Sequence, residues 1–182
     1  MLKKQDHTAE YNGATCNDSS RAMHESHIDP NQPKSVLYRQ LVEELRSLVA
    51  GEPDWIANLA NSAALIYHSL PDLNWAGFYL LKDGELVVGP FQGKPACVRI
   101  AMGKGVCGTA AAQRTTQVVR DVHEFPGHIA CDSASNSEIV VPMIRNGELL
   151  GVLDLDSPKL ARFDAEDRKG LEDFVAALLA AT

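Results

Sequence analysis

No C-x-x-C pair occurs among the four cysteines of this 182-residue chain, which excludes a zinc ribbon or a thioredoxin-type motif assembled from local sequence. No apolar run approaches the roughly 18 residues that span a bilayer. Met1-Leu2-Lys3-Lys4 leads straight into polar sequence, without the apolar stretch of a secretory signal. Positive charge is scarce as well: 17 Lys and Arg stand against 24 Asp and Glu, for a formal charge of −7 and a pI near 5.3. That deficit argues against nucleic acid as a partner, which calls for a basic stripe, and against polybasic attachment to a membrane. Internal repeats are missing too. The expected location is cytoplasmic, where cysteines stay reduced unless they are catalytic or redox-sensing.

What is present suits one folded domain with an extension. Residues 1–33 hold few large apolar side chains and are expected to form a disordered N-terminal extension, with the domain over 34–182. The His24-x-x-His27 pair falls in this tail and reads as solvated sequence. From Pro33, Leu37, Leu41, Leu45 and Leu48 recur at helical spacing, and a second helix is expected from Pro53 to Leu70. Strands follow at Trp75–Leu81 and Glu85–Val88 around Lys82-Asp83-Gly84, then at Val98–Met102 and Gln117–Val122. Glu138–Ile144 and Leu149–Asp156 flank Asn146-Gly147, the strongest short hairpin signal. Pro142 lacks an N–H, so its strand should be at an edge or locally bulged. Asp164 caps a closing helix. Hairpins require antiparallel pairing, so the expected class is α+β, a central antiparallel sheet flanked by helices.

Three segments bear on chemistry. Gly103-Lys104-Gly105-Val106-Cys107-Gly108 matches G-x-G-x-x-G, but only about eight residues separate it from the next strand, and a parallel crossover needs a dozen or more. The glycines are therefore assigned to a tight strand-to-helix turn, with Cys107 at a helix start where the dipole would favour thiolate. The long loop Phe125–Glu138 sets Cys131 between a Pro-Gly turn and small polar residues, the setting of an accessible nucleophile. Asp154 and Asp156, two apart on one strand, project from the same face as Val152, with Leu153 and Leu155 on the other. Asp is depleted in strands, so the pair suggests recognition of a cation or an ammonium group, and Glu138, which begins the hairpin partner, is a candidate to face the same space.

Asn74-Trp75-Ala76-Gly77-Phe78-Tyr79, Gly105-Val106-Cys107-Gly108-Thr109-Ala110, His128-Ile129-Ala130-Cys131-Asp132, Ser137–Pro142 and Gly151–Ser157 together resemble the free methionine-(R)-sulfoxide reductases, stand-alone GAF domains. The resemblance spans roughly residues 36 to 181 and includes the cysteine trio. It implies a GAF fold and reduction of free methionine sulfoxide. Cys131 would be the attacking nucleophile, Cys97 the resolving cysteine, and Cys107 an auxiliary or alternative partner. It also implies substrate binding by Glu138, Asp154 and Asp156 between walls of Trp75 and Tyr79, thioredoxin as electron donor, and no metal or organic cofactor; a homodimer is compatible with it. Two other readings compete. One is a non-catalytic GAF sensor for a cyclic nucleotide or other small ligand, which leaves three cysteines unexplained. The other is a zinc module using Cys97, Cys107, Cys131 and His123 or His128.

Overall fold

The computed structural model describes residues 28–127 and 133–181. Two helices lead, α1 (Lys34–Leu48) and α2 (Trp55–Ser69), followed by β1 (Trp75–Lys82), β2 (Glu85–Gly93) and β3 (Arg99–Ala101). Next come α3 (Gly105–Gln113), β4 (Gln117–Val119), a single 3-10 turn (Val122–Glu124), β5 (Ser137–Arg145), β6 (Glu148–Ser157) and α4 (Ala165–Ala180). The strands form one antiparallel sheet in the order β3-β2-β1-β6-β5-β4. This is the expected α+β architecture.

Local chemistry explains most of the boundaries. Asp54 accepts a hydrogen bond from the Ala57 N–H at 2.8 Å and caps α2, so Pro53 precedes the cap rather than opening the helix. Both hairpins turn on a residue pair with positive φ, Asp83-Gly84 (51° and 82°) and Asn146-Gly147 (53° and 82°). Left-handed pairs of this kind match the strand twist. β2 runs to Gly93, five residues past its expected end. β5 is not an edge strand over its whole length: β4 pairs with it only from Glu138 to Val140. Pro142 lies just beyond, beside a register shift between Met143 and Ile144, so its missing N–H leaves no ladder bond unmade.

The sheet's two faces have different fates. Ala76, Phe78, Leu80, Ile139, Val141, Leu153 and Leu155 point toward α1, α2 and α4 and form the main core. Trp75, Tyr79, Val140 and Val152 point the other way, toward Val106, Cys107 and Ala110 of α3. The period of two along each strand separates the faces. At the α1–α4 contact the Tyr38 ring lies flat on Gly170, where a Cβ would come within 2.1 Å of it. Asp167, fully buried, receives the Tyr38 hydroxyl at 2.9 Å and the Arg162 guanidinium at 3.0 Å. It also completes a capping box with Asp164. The described residues begin at Ile28, which packs half-buried against the main core; residues 1–27 of the expected extension, with Cys16 and His24, lie outside them.

Candidate active site

The site is the second face of the sheet, and strand register builds it. Asp156 sits opposite Trp75 on one side and Glu138 on the other, while Asp154 sits opposite Gly77 and Val140. Directly opposed residues on antiparallel strands have Cβ atoms about 5 Å apart, so three carboxylates and two aromatics share one small area. α3 crosses above it. The resulting cavity is lined by Trp75, Tyr79, Lys94, Pro95, Ala96, Ile100, Lys104, Gly105, Val106, Cys107, Ser135, Glu138, Asp154 and Asp156.

Aromatic stacking makes one wall. Trp75 stacks on Phe91 at 5.2 Å and on Tyr79 at 5.9 Å. Gly77 makes room, since a Cβ there would fall 2.8 Å from the indole and 2.3 Å from Phe91 Cβ. The polar tips of both walls reach the β2–β3 connection: Trp75 Nε1 donates to the Lys94 carbonyl and the Tyr79 hydroxyl to the Cys97 carbonyl, each at 3.1 Å. The residues expected to wall a pocket thus also hold the segment that carries Cys97. The glycine-rich loop behaves as a turn. Gly103 and Gly105 have φ of 76° and 58°, and a Cβ on Gly108 would lie 2.4 Å from the Ala101 carbonyl oxygen.

The floor is electrostatically unusual. Cys107, Glu138 and Asp154 are only 4–6% exposed, and each offers a donor atom within 4.8 Å of the other two. The Cys107 thiol lies 4.0 Å from Glu138 Oε1. Burial, then the charges of Asp154 and Glu138, push the Cys107 thiol well above its ordinary range. This corrects the expected thiolate at the start of α3: a helix terminus contributes about 0.3–1 kcal/mol, less than burial among acids takes away. Burial and the neighbouring aspartates raise Glu138 well above the usual carboxylate range. Burial also raises Asp154 from 3.8 to about 7. Asp154 Oδ1 is buried with no hydrogen-bond partner among the described residues.

These shifts have a consequence for stability. Between pH 4 and 7 folded Asp154 keeps a proton that the unfolded chain releases, so stability is lost as pH rises through that window. A shift of that size corresponds to up to about 4 kcal/mol, shared with Glu138. Asp154→Asn is therefore expected to melt above wild type at pH 8 and close to it at pH 4. Thermal denaturation at the two pH values checks this, and a variant that melts lower at pH 8 would refute it.

Six of the eight residues singled out from sequence line the cavity: Trp75, Tyr79, Cys107, Glu138, Asp154 and Asp156. Cys97 is half-buried and not on the wall, which its neighbours Pro95 and Ala96 join instead. Cys131 lies outside the described residues, as does His128. His123 Nε2 is 3.2 Å from Asn136 Oδ1, and the clustered donors around Cys107 are carboxylates rather than the cysteine and histidine set of the zinc reading. Lys94, Lys104 and Ser135 are cavity residues that sequence reasoning passed over. Ser135 sat inside the small polar run; nothing local marked the lysines.

Comparison with known proteins agrees with this geometry. A GAF domain family model matches residues 54–181. The free methionine-R-sulfoxide reductase of Escherichia coli (strain K12) is 55% identical over 145 residues, covering 80% of this chain and 88% of the relative. Among solved structures, a putative GAF sensor protein from Burkholderia vietnamiensis is 64% identical at a TM-score of 0.81, covering 83% of this chain and 96% of the other. Free methionine-R-sulfoxide reductase from Neisseria meningitidis, in complex with its substrate, is 46% identical at a TM-score of 0.83, covering 87% and 95%. With that similarity extending over four-fifths of its length, the chain belongs to the free methionine-R-sulfoxide reductase family of GAF domains.

Proposed function

We propose that the protein reduces free L-methionine-(R)-sulfoxide to methionine with a cysteine nucleophile. The observation that carries this is the acid cluster of buried Glu138 and Asp154 with half-buried Asp156, facing an aromatic wall, in a chain this close to named reductases. The acids suit an α-ammonium, the stacked rings suit a thioether side chain, and Lys94 and Lys104 on the same cavity suit an α-carboxylate. A free amino acid offers all three groups together.

Cys131 attacks the sulfoxide sulfur as thiolate while the oxygen takes a proton, forming an S–S bond; the hydroxyl then passes from the substrate sulfur to the Cys131 sulfur as the S–O and S–S bonds break, leaving Cys131 as sulfenic acid and releasing methionine. The pair Glu138 and Asp154 is the proton source this step needs, because burial keeps a proton there near neutral pH. Cys131 is four positions before Ser135, which lines the cavity, and a four-residue step of chain reaches at most about 14 Å. The sulfenic acid then condenses with the Cys97 thiol, forming a disulfide and releasing water. Such a bond requires Cα atoms within about 7 Å of each other. Thioredoxin, at about −270 mV, returns the two electrons. These steps call for no metal or organic cofactor.

The test is an assay of both diastereomers of free methionine sulfoxide with thioredoxin as donor. Turnover of the R form alone is the expected result. Equal turnover of the S form, or none of either, would remove the proposal.

The sensor reading is set aside because a domain that only binds a small ligand leaves the three cysteines of the GAF domain, Cys97, Cys107 and Cys131, unexplained.

A further inference from the structure

We infer that, in the absence of substrate, the reduced pocket takes a divalent cation of the zinc class through Cys107 Sγ, Glu138 and Asp154. The cluster is more than a group of acids. It combines one sulfur and two carboxylates, all three side chains are buried, and their donor atoms lie within 4.8 Å of one another. The second, independent observation is Asp154 Oδ1. It belongs to a side chain only 5% exposed on the cavity wall, and it has no hydrogen-bond partner among the described residues. The Asp154 carboxyl interacts with Cys107 and Glu138 beside it, but this one oxygen accepts nothing from the described residues, so part of its desolvation has no offset. A cation in the cavity supplies one.

Geometry and charge favour a zinc-class ion over others. With Zn–S near 2.3 Å and Zn–O near 2.1 Å, tetrahedral coordination sets sulfur and oxygen about 3.6 Å apart. The Cys107 Sγ to Glu138 Oε1 distance is 4.0 Å, so the two need to approach by only a few tenths of an ångström. Three protein donors leave a fourth position for water. A sulfur donor selects against Mg²⁺ and Ca²⁺, which take oxygen ligands at six or more positions. Binding exchanges the Cys107 S–H bond for an S–metal bond and releases the proton to solvent. The cation also carries two charges into a site where Asp156 adds a further acid on the rim. It occupies the carboxylates assigned above to the substrate ammonium, so zinc should raise KM for the sulfoxide and leave kcat unchanged.

The experiment is a titration of the reduced full-length chain with Co²⁺, read by the near-ultraviolet thiolate-to-cobalt charge-transfer band. The expected result is a band saturating at one equivalent, displaced by Zn²⁺ but not by excess Mg²⁺. It should be absent in Cys107→Ser, retained in Cys131→Ser, and weakened at least about tenfold in affinity in Asp154→Asn. The Asp154 variant keeps the sulfur and guards against misfolding of the Cys107 variant. No band in wild type, or a band that survives in Cys107→Ser, or one lost in Cys131→Ser, overturns the inference. The titration involves no turnover. A protein that binds Co²⁺ through Cys107 yet reduces no sulfoxide would defeat the proposed function alone, and an active reductase without the band would defeat the metal site alone.

Discussion

Cys131→Ser is expected to abolish sulfoxide reduction even in a single turnover, while Cys97→Ser still releases one equivalent of methionine and then stalls. The first loss should be roughly a thousandfold or more, because replacing a nucleophile removes the chemical step itself. Cys107 is a poor substitute. It is buried, and the acids around it hold its thiol in the protonated, unreactive form. Cys97 is half-buried with its side chain off the cavity wall, and its carbonyl is fixed by the Tyr79 hydroxyl. That position suits a partner that receives a sulfenic acid better than one that attacks a bound sulfoxide. In Cys97→Ser the sulfenic acid forms and waits, so methionine should appear in a burst equal to the enzyme concentration, followed by slow or no recycling with thioredoxin. Quenched-flow measurement of methionine and trapping of the sulfenic acid with a dimedone-type reagent separate the two steps. A burst in Cys131→Ser and none in Cys97→Ser would reverse the assignment.

The next largest effect expected is substrate selection for the free amino acid. N-acetyl or peptide-bound methionine sulfoxide has no ammonium to place among Glu138, Asp154 and Asp156, and should leave those acids without a compensating charge. Each charged hydrogen bond contributes about 1.5–3 kcal/mol, so losing two lowers kcat/KM by roughly a hundredfold to ten-thousandfold. Asp154→Asn and Asp156→Asn should each lower kcat/KM on the free amino acid and narrow its advantage over the N-acetyl compound. The two variants need not behave alike. Asp154 is buried and shares the proton proposed for the leaving oxygen, so its loss should reach kcat. Asp156 is half-buried, so its loss should fall mainly on KM. Comparable wild-type rates on the two substrates would rule out ammonium recognition.

Much of this site was readable from local pattern, and the reason is the short period of a strand. Asp154 and Asp156 had to share a face with Val152 because alternate residues in a strand point the same way. The Asn146-Gly147 turn folds Glu138 back onto the same strand, but the turn alone would set it opposite Leu155; the register shift between Met143 and Ile144, which only the structure shows, moves it opposite Asp156. Helix spacing in the same way placed Leu37, Leu41 and Leu45 in the core. The state of Cys107 was not readable. Its segment looks like a helix start that favours thiolate, and locally it is one. The opposing effect comes from residues 31 and 47 positions away, brought beneath α3 by the sheet. Desolvation and carboxylate charge act through space, so they leave no trace in the neighbouring sequence.

By itself, then, the sequence determined which side chains face together along each strand and helix, where the chain turns, and that the charge of the molecule suits neither nucleic acid nor anionic lipid. These follow from backbone period and residue chemistry over a few positions. Only the tertiary structure decided that α3 closes over the acids and that Trp75 and Tyr79 hold the loop of Cys97 as well as lining the cavity. It likewise decided that Lys94, Lys104 and Ser135 belong to the cavity, and that Cys107 is a thiol at the centre of a donor cluster. Each of these depends on which segments the antiparallel order β2-β1-β6-β5 sets side by side, and burial there changes what the same side chains do.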